Sequence, residues 1–287
     1  MRRIGSAQKA FAALVLTVLL LAGATPVLSQ SIHDRIYPAP TAPIATAVLP
    51  AGAERVTVQT SDALSITGAA VAAAPGKPTL LVFHGNGSSA MSTLAWFAPA
   101  IAKGYGVVAA EYRGYSGNPG RADEPGLARD ADAFYAEARR RAGGGRLIVV
   151  GHSLGGGVAF GLASRQKLDA LVTIGTFTSL TAMVPKIGRA FVSDRYDNLA
   201  TVPTLDEPYF LIHGLADQTI PAAMGQELHK AAHAAKRTGF SVVIQGADHH
   251  PDGALIASIL ETIVAHLDHP DAAALPLPDT VKIYGFG

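Results

Sequence analysis

The stretch that most constrains the fold runs from Arg146 to Gly157, where branched apolar residues lead into the pentapeptide Gly151-His-Ser-Leu-Gly155. A strand that turns this sharply into a helix holds the residue at the turn, Ser153, in a strained backbone conformation and projects its hydroxyl above the sheet. Side chains two positions before and after the serine would collide, which accounts for the two glycines. A glycine-rich turn that merely contains a serine has the same letters, so the rest of the chain decides between these interpretations.

Composition bounds the classes of protein that the chain can belong to. Its 287 residues are 49% hydrophobic, enough for one sizeable domain or two small ones. The 23 basic and 22 acidic residues give a formal charge of +1, which provides no electrostatic footprint for nucleic acid. Cysteine is absent, which excludes disulfides, thiolate metal sites, a cysteine nucleophile and a lipidated N-terminal cysteine.

The N-terminal segment, 1–24, has the construction of an export signal. Basic residues at Met1-Arg-Arg3 and Lys9 precede an apolar run over 10–24, and Ala22-Gly-Ala24 offers a cleavage site. An uncleaved membrane anchor is the rival interpretation, but Pro26 follows the run before the ~20 apolar residues that a membrane span needs. The segment therefore predicts an exported protein, periplasmic or secreted, with membrane anchoring as the alternative.

The region after this segment predicts one α/β domain. Residues 25–54 are rich in Pro and Ala and are expected to form a linker or an extended arm. Eight apolar or alternating runs then predict strands, the first two antiparallel and the others separated by helices, so we expect a mostly parallel eight-stranded sheet with helices on both faces over 55–267. Too few residues separate Gly175 from Pro208 for more than a minimal lid, and 268–287 is expected to be a C-terminal extension. The eight runs are 55–60, 64–67, 79–83, 106–110, 146–150, 170–174, 208–212 and 240–244.

A serine nucleophile requires a base and a carboxylate that orients the base, and both occur later in the chain. Asp217 follows the strand that ends near Ile212, and His249 follows the last predicted strand. The alternative role of Asp217 is a charge at the start of the next helix. His250 is the neighbouring choice of base, although the proline after it restricts its backbone. The reserve acids are Asp194, Asp206 and Asp248.

An oxyanion hole is expected from two backbone N–H groups. One belongs to Leu154, the residue after the predicted nucleophile. The other is expected in the loop His84-Gly-Asn-Gly87, with Asn86 as the predicted donor and Gly87 as the next candidate. His84 itself is predicted to fix this loop as a structural residue.

No cofactor and no metal is predicted. His229 and His233 have the spacing of metal ligands on a helix but lack the accompanying glutamate, so a solvated helix face is the preferred interpretation. His249, His250 and Asp252 could hold a metal if taken in isolation. The phosphate-binding patterns G-x-x-x-x-G-K-[ST] and G-x-G-x-x-G are missing.

Five linked motifs resemble the BEM46-type, ABHD12/13/17-like branch of the α/β-hydrolase superfamily. The sequence departs from that pattern at Gly246-Ala-Asp-His249, where the family commonly has Gly-Ala-Gly-His, and at Ser116-Gly-Asn-Pro119, where it has Gly-x-Ser. The resemblance implies an α/β-hydrolase fold and an exported or membrane-associated hydrolase of acyl esters, including lysophospholipids and acylated proteins. The motifs are His84-Gly-Asn-Gly87, Tyr112-Arg-Gly-Tyr115 leading to Gly126-Leu-Ala-Arg-Asp130, Gly151-His-Ser-Leu-Gly-Gly156, Phe177-Thr-Ser-Leu180 and His213-Gly-Leu-Ala-Asp217.

Taken together, these features predict a serine hydrolase of carboxylic or thio-esters that acts through an acyl-Ser153 intermediate, with His249 as base and Asp217 as orienting acid. We expect a small-molecule acyl ester or lipid as the substrate, peripheral membrane contact as a further possible interaction, and no nucleic acid partner. A serine peptidase or amidase would use the same residues. A catalytically silent binding protein of the same fold is the third interpretation.

Overall fold

The apolar runs form a single sheet in the computed structural model, which describes residues 33–184, 189, 190, 192–271 and 275–287. The predicted export segment at 1–24 lies outside the described residues. The strands are β1 (Ala53–Gln59), β2 (Ser65–Val71), β3 (Thr79–Phe83), β4 (Gly106–Ala109), β5 (Leu147–His152), β6 (Ala170–Ile174), β7 (Tyr209–Gly214), β8 (Gly239–Ile244) and β9 (Val281–Gly285).

The strand order across the sheet is β1-β2-β4-β3-β5-β6-β7-β8-β9. Strands β3 to β8 are parallel to one another. At one edge β1 is antiparallel to β2 and β2 is antiparallel to β4, and at the other edge β9 is antiparallel to β8. β3, β5, β6 and β7 are buried at every position, as expected for parallel strands covered on both faces. The predicted fold class is confirmed.

The sheet has nine strands in the described part of the chain, one more than the eight predicted. The additional strand lies within 268–287, which the sequence indicated only as a C-terminal extension, and it pairs with β8 from Val281 opposite Ile244 to Gly285 opposite Phe240. Phe286 then turns inward, is fully buried, and stacks on Tyr209 with 5.6 Å between ring centroids. The extension therefore covers the edge of the sheet at β8.

Helices cover both faces of the sheet. They are α1 (Ala90–Trp96), α2 (Ala98–Ala102), α3 (Glu124–Ala142), α4 (Leu154–Ala163), α5 (Leu180–Met183), α6 (Asn198–Thr201), α7 (Ala222–Ala234) and α8 (Gly253–Asp268), with 3-10 turns at Ile44–Thr46 and Val202–Thr204. α3, α4 and α7 contribute Phe134, Phe160 and Leu228 to one apolar core, and α1, α2 and α8 contribute to the other. No helix among the described residues is both long enough and apolar enough to span a membrane.

The longest helix shows how local sequence sets the boundaries. α3 begins after Asp123, whose carboxylate accepts the backbone N–H of Gly126 at 2.7 Å. It ends at Gly143, which adopts a left-handed conformation with φ of 57° and which therefore suits glycine. Three arginines in the last turn, 139–141, lie where the helix dipole favours positive charge.

The Pro-rich region before β1 packs on the body of the domain, so its described part is an arm and not a free linker. Tyr37 is buried, and its hydroxyl donates to the carboxylate of Asp194. Further along, the Ser116 N–H donates to the Pro40 carbonyl at 2.8 Å, and the Ile44 N–H donates to the Ser116 carbonyl at 2.9 Å. Because proline has no N–H to donate, the arm is held by donors on its other residues, such as Ile44, and by N–H groups of the domain body, such as that of Ser116.

Candidate active site

Ser153 occupies the turn between β5 and α4 with φ of 53° and ψ of −118°. Its N–H donates to the Ile174 carbonyl at 3.0 Å, which ties the turn to β6. The flanking glycines are required by space. A Cβ on Gly151 would lie 2.4 Å from the Gly155 carbonyl oxygen, and one on Gly155 would lie 2.1 Å from the Phe83 carbonyl oxygen. The pentapeptide is therefore a strand–turn–helix of the kind that presents a nucleophile.

Asp217 and His249 form a hydrogen-bonded pair. The Nδ1 of His249 lies 2.8 Å from Oδ2 of Asp217, whose side chain is 0% exposed while that of His249 is 17% exposed. The other carboxylate oxygen, Oδ1, accepts the N–H groups of Thr219 and Ile220, each at 2.8 Å. The carboxylate is thus held on both oxygens, and the imidazole that it orients still reaches solvent.

The pair and the serine turn meet at Gly175. A Cβ on Gly175, whose φ is 55°, would lie 3.2 Å from both Oδ2 of Asp217 and Nδ1 of His249. Ile174, the residue before it, accepts the Ser153 N–H. The same two-residue segment therefore contacts the predicted nucleophile on one side and the predicted acid and base on the other.

The loop His84–Gly87 lies beside Ser153, because a Cβ on Gly85 would be 3.1 Å from the Ser153 Cβ. Among the backbone–backbone hydrogen bonds of loops and turns in the described ranges, none has the N–H of Asn86 or Leu154 as its donor. Leu154 is the first residue of α4, where the N–H has no partner inside the helix. The assignment of Leu154 and Asn86 as oxyanion donors stays a prediction.

A buried histidine and a buried glutamate hold this loop. The Nε2 of His84 lies 2.7 Å from Oε1 of Glu111, and its Nδ1 lies 2.8 Å from the Gly85 carbonyl. The second oxygen of Glu111 accepts the Ala90 N–H at 3.0 Å, and the Tyr112 hydroxyl donates to the His84 carbonyl at 2.7 Å. His84 thus has the structural position expected of it. Glu111 was missed by the sequence reasoning, although a charge directly after the buried strand β4 was a usable signal.

His250 takes a different place from His249. Its ring packs 4.3 Å from that of His152 and 4.9 Å from that of Trp96, measured between centroids. The loop around it is held by two donors, since Nε2 of His152 donates to the His249 carbonyl and Nε1 of Trp96 donates to the Pro251 carbonyl, each at 2.9 Å. Sequence reasoning missed both of these residues. The signal for Trp96 was that the chain has a single tryptophan.

The remaining candidates lie elsewhere. Asp194 binds Tyr37, Asp206 is exposed, and Oδ1 of Asp248 accepts the His250 N–H at 2.9 Å. No group of three or more His, Asp or Glu side chains within the described residues could hold a metal ion. The Nδ1 of His229 instead forms a hydrogen bond of 2.8 Å with the Ser241 hydroxyl.

Comparison with known proteins identifies the family. The family described as alpha/beta hydrolase fold matches residues 78–204. An uncharacterized protein of Mycobacterium tuberculosis is 35% identical over 218 residues, which span 72% of this chain and 76% of that protein. The chain belongs to the α/β-hydrolase superfamily. The resemblance drawn from the sequence motifs is thereby confirmed for the superfamily.

Two further proteins are similar to this chain. Human protein ABHD12B is 29% identical over 187 residues, which cover 56% of this chain and 52% of ABHD12B, so the match spans about half of that protein. Among solved structures, an esterase of Pyrococcus furiosus superposes with a TM-score of 0.61 at 19% identity, over 80% of this chain and 96% of the esterase. At that identity the superposition establishes the shared fold.

The burial of His152 makes stability depend on pH. Burial lowers the pKa of His152 well below its usual value of 6.5, and the rings of His250 and His249 lower it further. In the unfolded chain the imidazole takes up a proton as pH falls below 6.5, whereas in the folded protein it stays neutral. The stabilising contribution of neutral His152 is therefore present above that pH and is lost as pH falls below it.

We predict that His152→Gln, which keeps a donor for the His249 carbonyl but does not titrate, reduces this pH dependence. Between pH 6.5 and 5, the unfolding free energy of the wild type should fall more steeply, by up to about 1.4 kcal/mol per pH unit. Urea denaturation at several pH values measures both slopes. Other groups titrate in both proteins, so their effect cancels when the slope of the variant is subtracted from that of the wild type. Equal slopes would contradict the lowered pKa of His152.

Proposed function

We propose that this protein is a serine hydrolase that cleaves carboxylic or thio-esters of acyl or lipid type. The observation that carries the proposal is the 2.8 Å pair of Asp217 and His249 held beside the strained turn at Ser153. A second support is the position of Leu154 as the first residue of α4, directly after Ser153, and of the loop His84–Gly87 beside the same serine. A binding protein would require none of this alignment.

The acylation step would begin with His249 taking the proton of the Ser153 hydroxyl through Nε2 while the oxygen attacks the ester carbonyl carbon. The carbonyl oxygen becomes an oxyanion that the N–H groups of Leu154 and Asn86 would stabilise. The proton on His249 is then donated to the leaving alcohol or thiol as its bond to carbon breaks. The acyl group remains on the Ser153 oxygen.

The deacylation step repeats this sequence with water as the nucleophile. His249 accepts a proton from water, the hydroxide attacks the acyl carbon, and the Ser153 oxygen leaves with the proton returned by His249. Asp217 fixes the imidazole through Nδ1 and stabilises its positive charge in both steps. The products are a carboxylic acid and free Ser153.

We also propose that the protein acts outside the cytoplasm, where acyl substrates at a membrane surface would be accessible to it. The support is the basic and apolar sequence of 1–24 with its Ala22-Gly-Ala24 cleavage site. N-terminal sequencing of the protein from fractionated cells tests this. A cleaved chain in the exported fraction is expected, and an intact chain confined to the cytosol would contradict the proposal.

Replacing the nucleophile tests the proposed chemistry. Ser153→Ala should lower the turnover of p-nitrophenyl esters by roughly 10³-fold or more, because no acyl-enzyme can form. Ser164→Ala is the matched control, since Ser164 is an exposed serine at the end of the same helix and should leave turnover unchanged.

The assay should include esters of graded acyl length, a thioester and the corresponding p-nitroanilide. Turnover of esters well above that of the anilide separates an esterase from an amidase. Near-normal ester turnover by Ser153→Ala would refute the assignment of the nucleophile.

A further inference from the structure

Asn86 and Gly87 form a dipeptide whose side-chain chemistry the proposed hydrolysis does not use. They are the two central residues of a turn, which the Ser88 N–H closes by donating to the Gly85 carbonyl at 3.3 Å. Gly87 has φ of 68°, a conformation that suits glycine at the third position of such a turn. Both Asn86 and Gly87 are exposed. The tip of the turn is therefore open to solvent.

The chain has three asparagines, and the structure distinguishes Asn86 from the other two. Asn118 precedes a proline, whose nitrogen has no hydrogen, and its Nδ2 donates to the Thr67 carbonyl at 3.0 Å. Asn198 is 1% exposed, and its Nδ2 donates to the Phe177 carbonyl at 2.9 Å. The side chain of Asn86 makes no hydrogen bond within the described ranges. Only this asparagine is thus both exposed and free to rotate.

An asparagine side chain in this situation can react with the backbone of the residue that follows it. The backbone nitrogen of Gly87 attacks Cγ of Asn86, and the bond from Cγ to the side-chain nitrogen breaks. The Gly87 proton leaves with that nitrogen as ammonia, and a cyclic imide remains. Water then opens the imide at either carbonyl, which leaves an aspartate or an isoaspartate at position 86. Glycine favours the attack because it has no side chain to obstruct it and because its backbone rotates most freely.

The turn must relax for Cγ of Asn86 to meet the Gly87 nitrogen, and its contacts allow this. The hydrogen bond that closes it, at 3.3 Å, is long. The Tyr115 hydroxyl lies near the Gly87 backbone but forms no hydrogen bond with a described residue, so it does not hold the Gly87 nitrogen. A Cβ on Gly87 would meet only Pro38, at 3.7 Å. Exposed turns with so few contacts open locally at low cost.

The reaction would change the loop that borders the proposed nucleophile. A Cβ on Gly85 would lie 3.1 Å from the Ser153 Cβ, so position 86 directly follows a residue in contact with Ser153. An aspartate there places a negative charge beside the developing oxyanion and repels it. An isoaspartate adds a carbon to the main chain and displaces the N–H groups around it. Either product weakens the stabilisation of the oxyanion.

We propose that Asn86 is a site of spontaneous deamidation and that its conversion inactivates the enzyme. The inactivation rests on the proposed function, because it acts through the loop beside Ser153. The deamidation itself depends only on the exposed turn and on the residue that follows Asn86. The protein therefore carries a chemical limit on its active lifetime within its own active-site loop.

The test follows the full chain during storage at mildly alkaline pH, where the attacking nitrogen loses its proton more readily. Peptide mass spectrometry detects the exchange of NH₂ for OH at each asparagine, and p-nitrophenyl ester turnover is measured on the same samples. We expect conversion of Asn86 while Asn118 and Asn198 stay intact, and a loss of turnover in proportion to the converted fraction. No conversion of Asn86, earlier conversion of another asparagine, or full turnover by converted protein would overturn the proposal.

Two variants separate this reaction from general ageing. Asn86→Gln has a side chain too long to form the same ring, and it should retain its own starting turnover throughout storage. Asn86→Asp introduces the charge directly and should lower kcat by about tenfold or more while circular dichroism shows an unchanged fold. The proposal is wrong if N86Q loses turnover as fast as wild type, or if N86D matches fresh wild type. Fresh wild type without ester turnover would refute the proposed function and the inactivation with it, while the peptide masses would still decide the deamidation.

Discussion

The backbone at residue 153 carries a conformation that an amino acid with a side chain rarely adopts, and the surrounding structure depends on it. A φ of 53° at a serine costs on the order of 1–3 kcal/mol, which packing around the turn must offset. That packing requires backbone segments to lie directly against each other. Gly151 packs on the backbone of α4, and Gly155 packs on the backbone at the end of β3. The same closeness brings the loop after β3 to the Ser153 side chain. The strain at one residue thus positions both the hydroxyl and the N–H groups beside it.

The loop that carries His249 is held in part by a buried, neutral histidine, His152. His152 donates to the His249 carbonyl from a fully buried position, and His250 fills the space between His152 and Trp96. A charge on buried His152 would meet two other imidazoles and little water, which explains its lowered pKa, and partial burial together with the neighbouring His249 lowers the pKa of His250. Only His249 has a carboxylate partner for its Nδ1. Burial and pairing therefore give three adjacent histidines different environments.

Strands β1 to β8 could be predicted from the sequence because each is an apolar or alternating run bounded by turn residues. It also indicated Ser153, Asp217 and His249, since each follows a strand and parallel strands bring their carboxyl ends to one edge. It did not reveal β9, whose Val281 and Ile283 alternate over too few residues to stand out. Trp96 and Glu111 could not be placed because their partners are distant in sequence. A contact between a ring on α1 and the carbonyl of Pro251 follows from packing alone.

The proposed chemistry requires that His249 and Asp217 activate the Ser153 hydroxyl. The most direct measurement is intact-protein mass spectrometry after exposure to a fluorophosphonate, which reacts with activated serines irrespective of the natural substrate. We expect one adduct per chain, mapped by peptide analysis to Ser153, and slower labelling when Asp217→Asn removes the carboxylate that orients His249. Absence of an adduct, an adduct on another serine, or equal labelling rates in wild type and Asp217→Asn would contradict it.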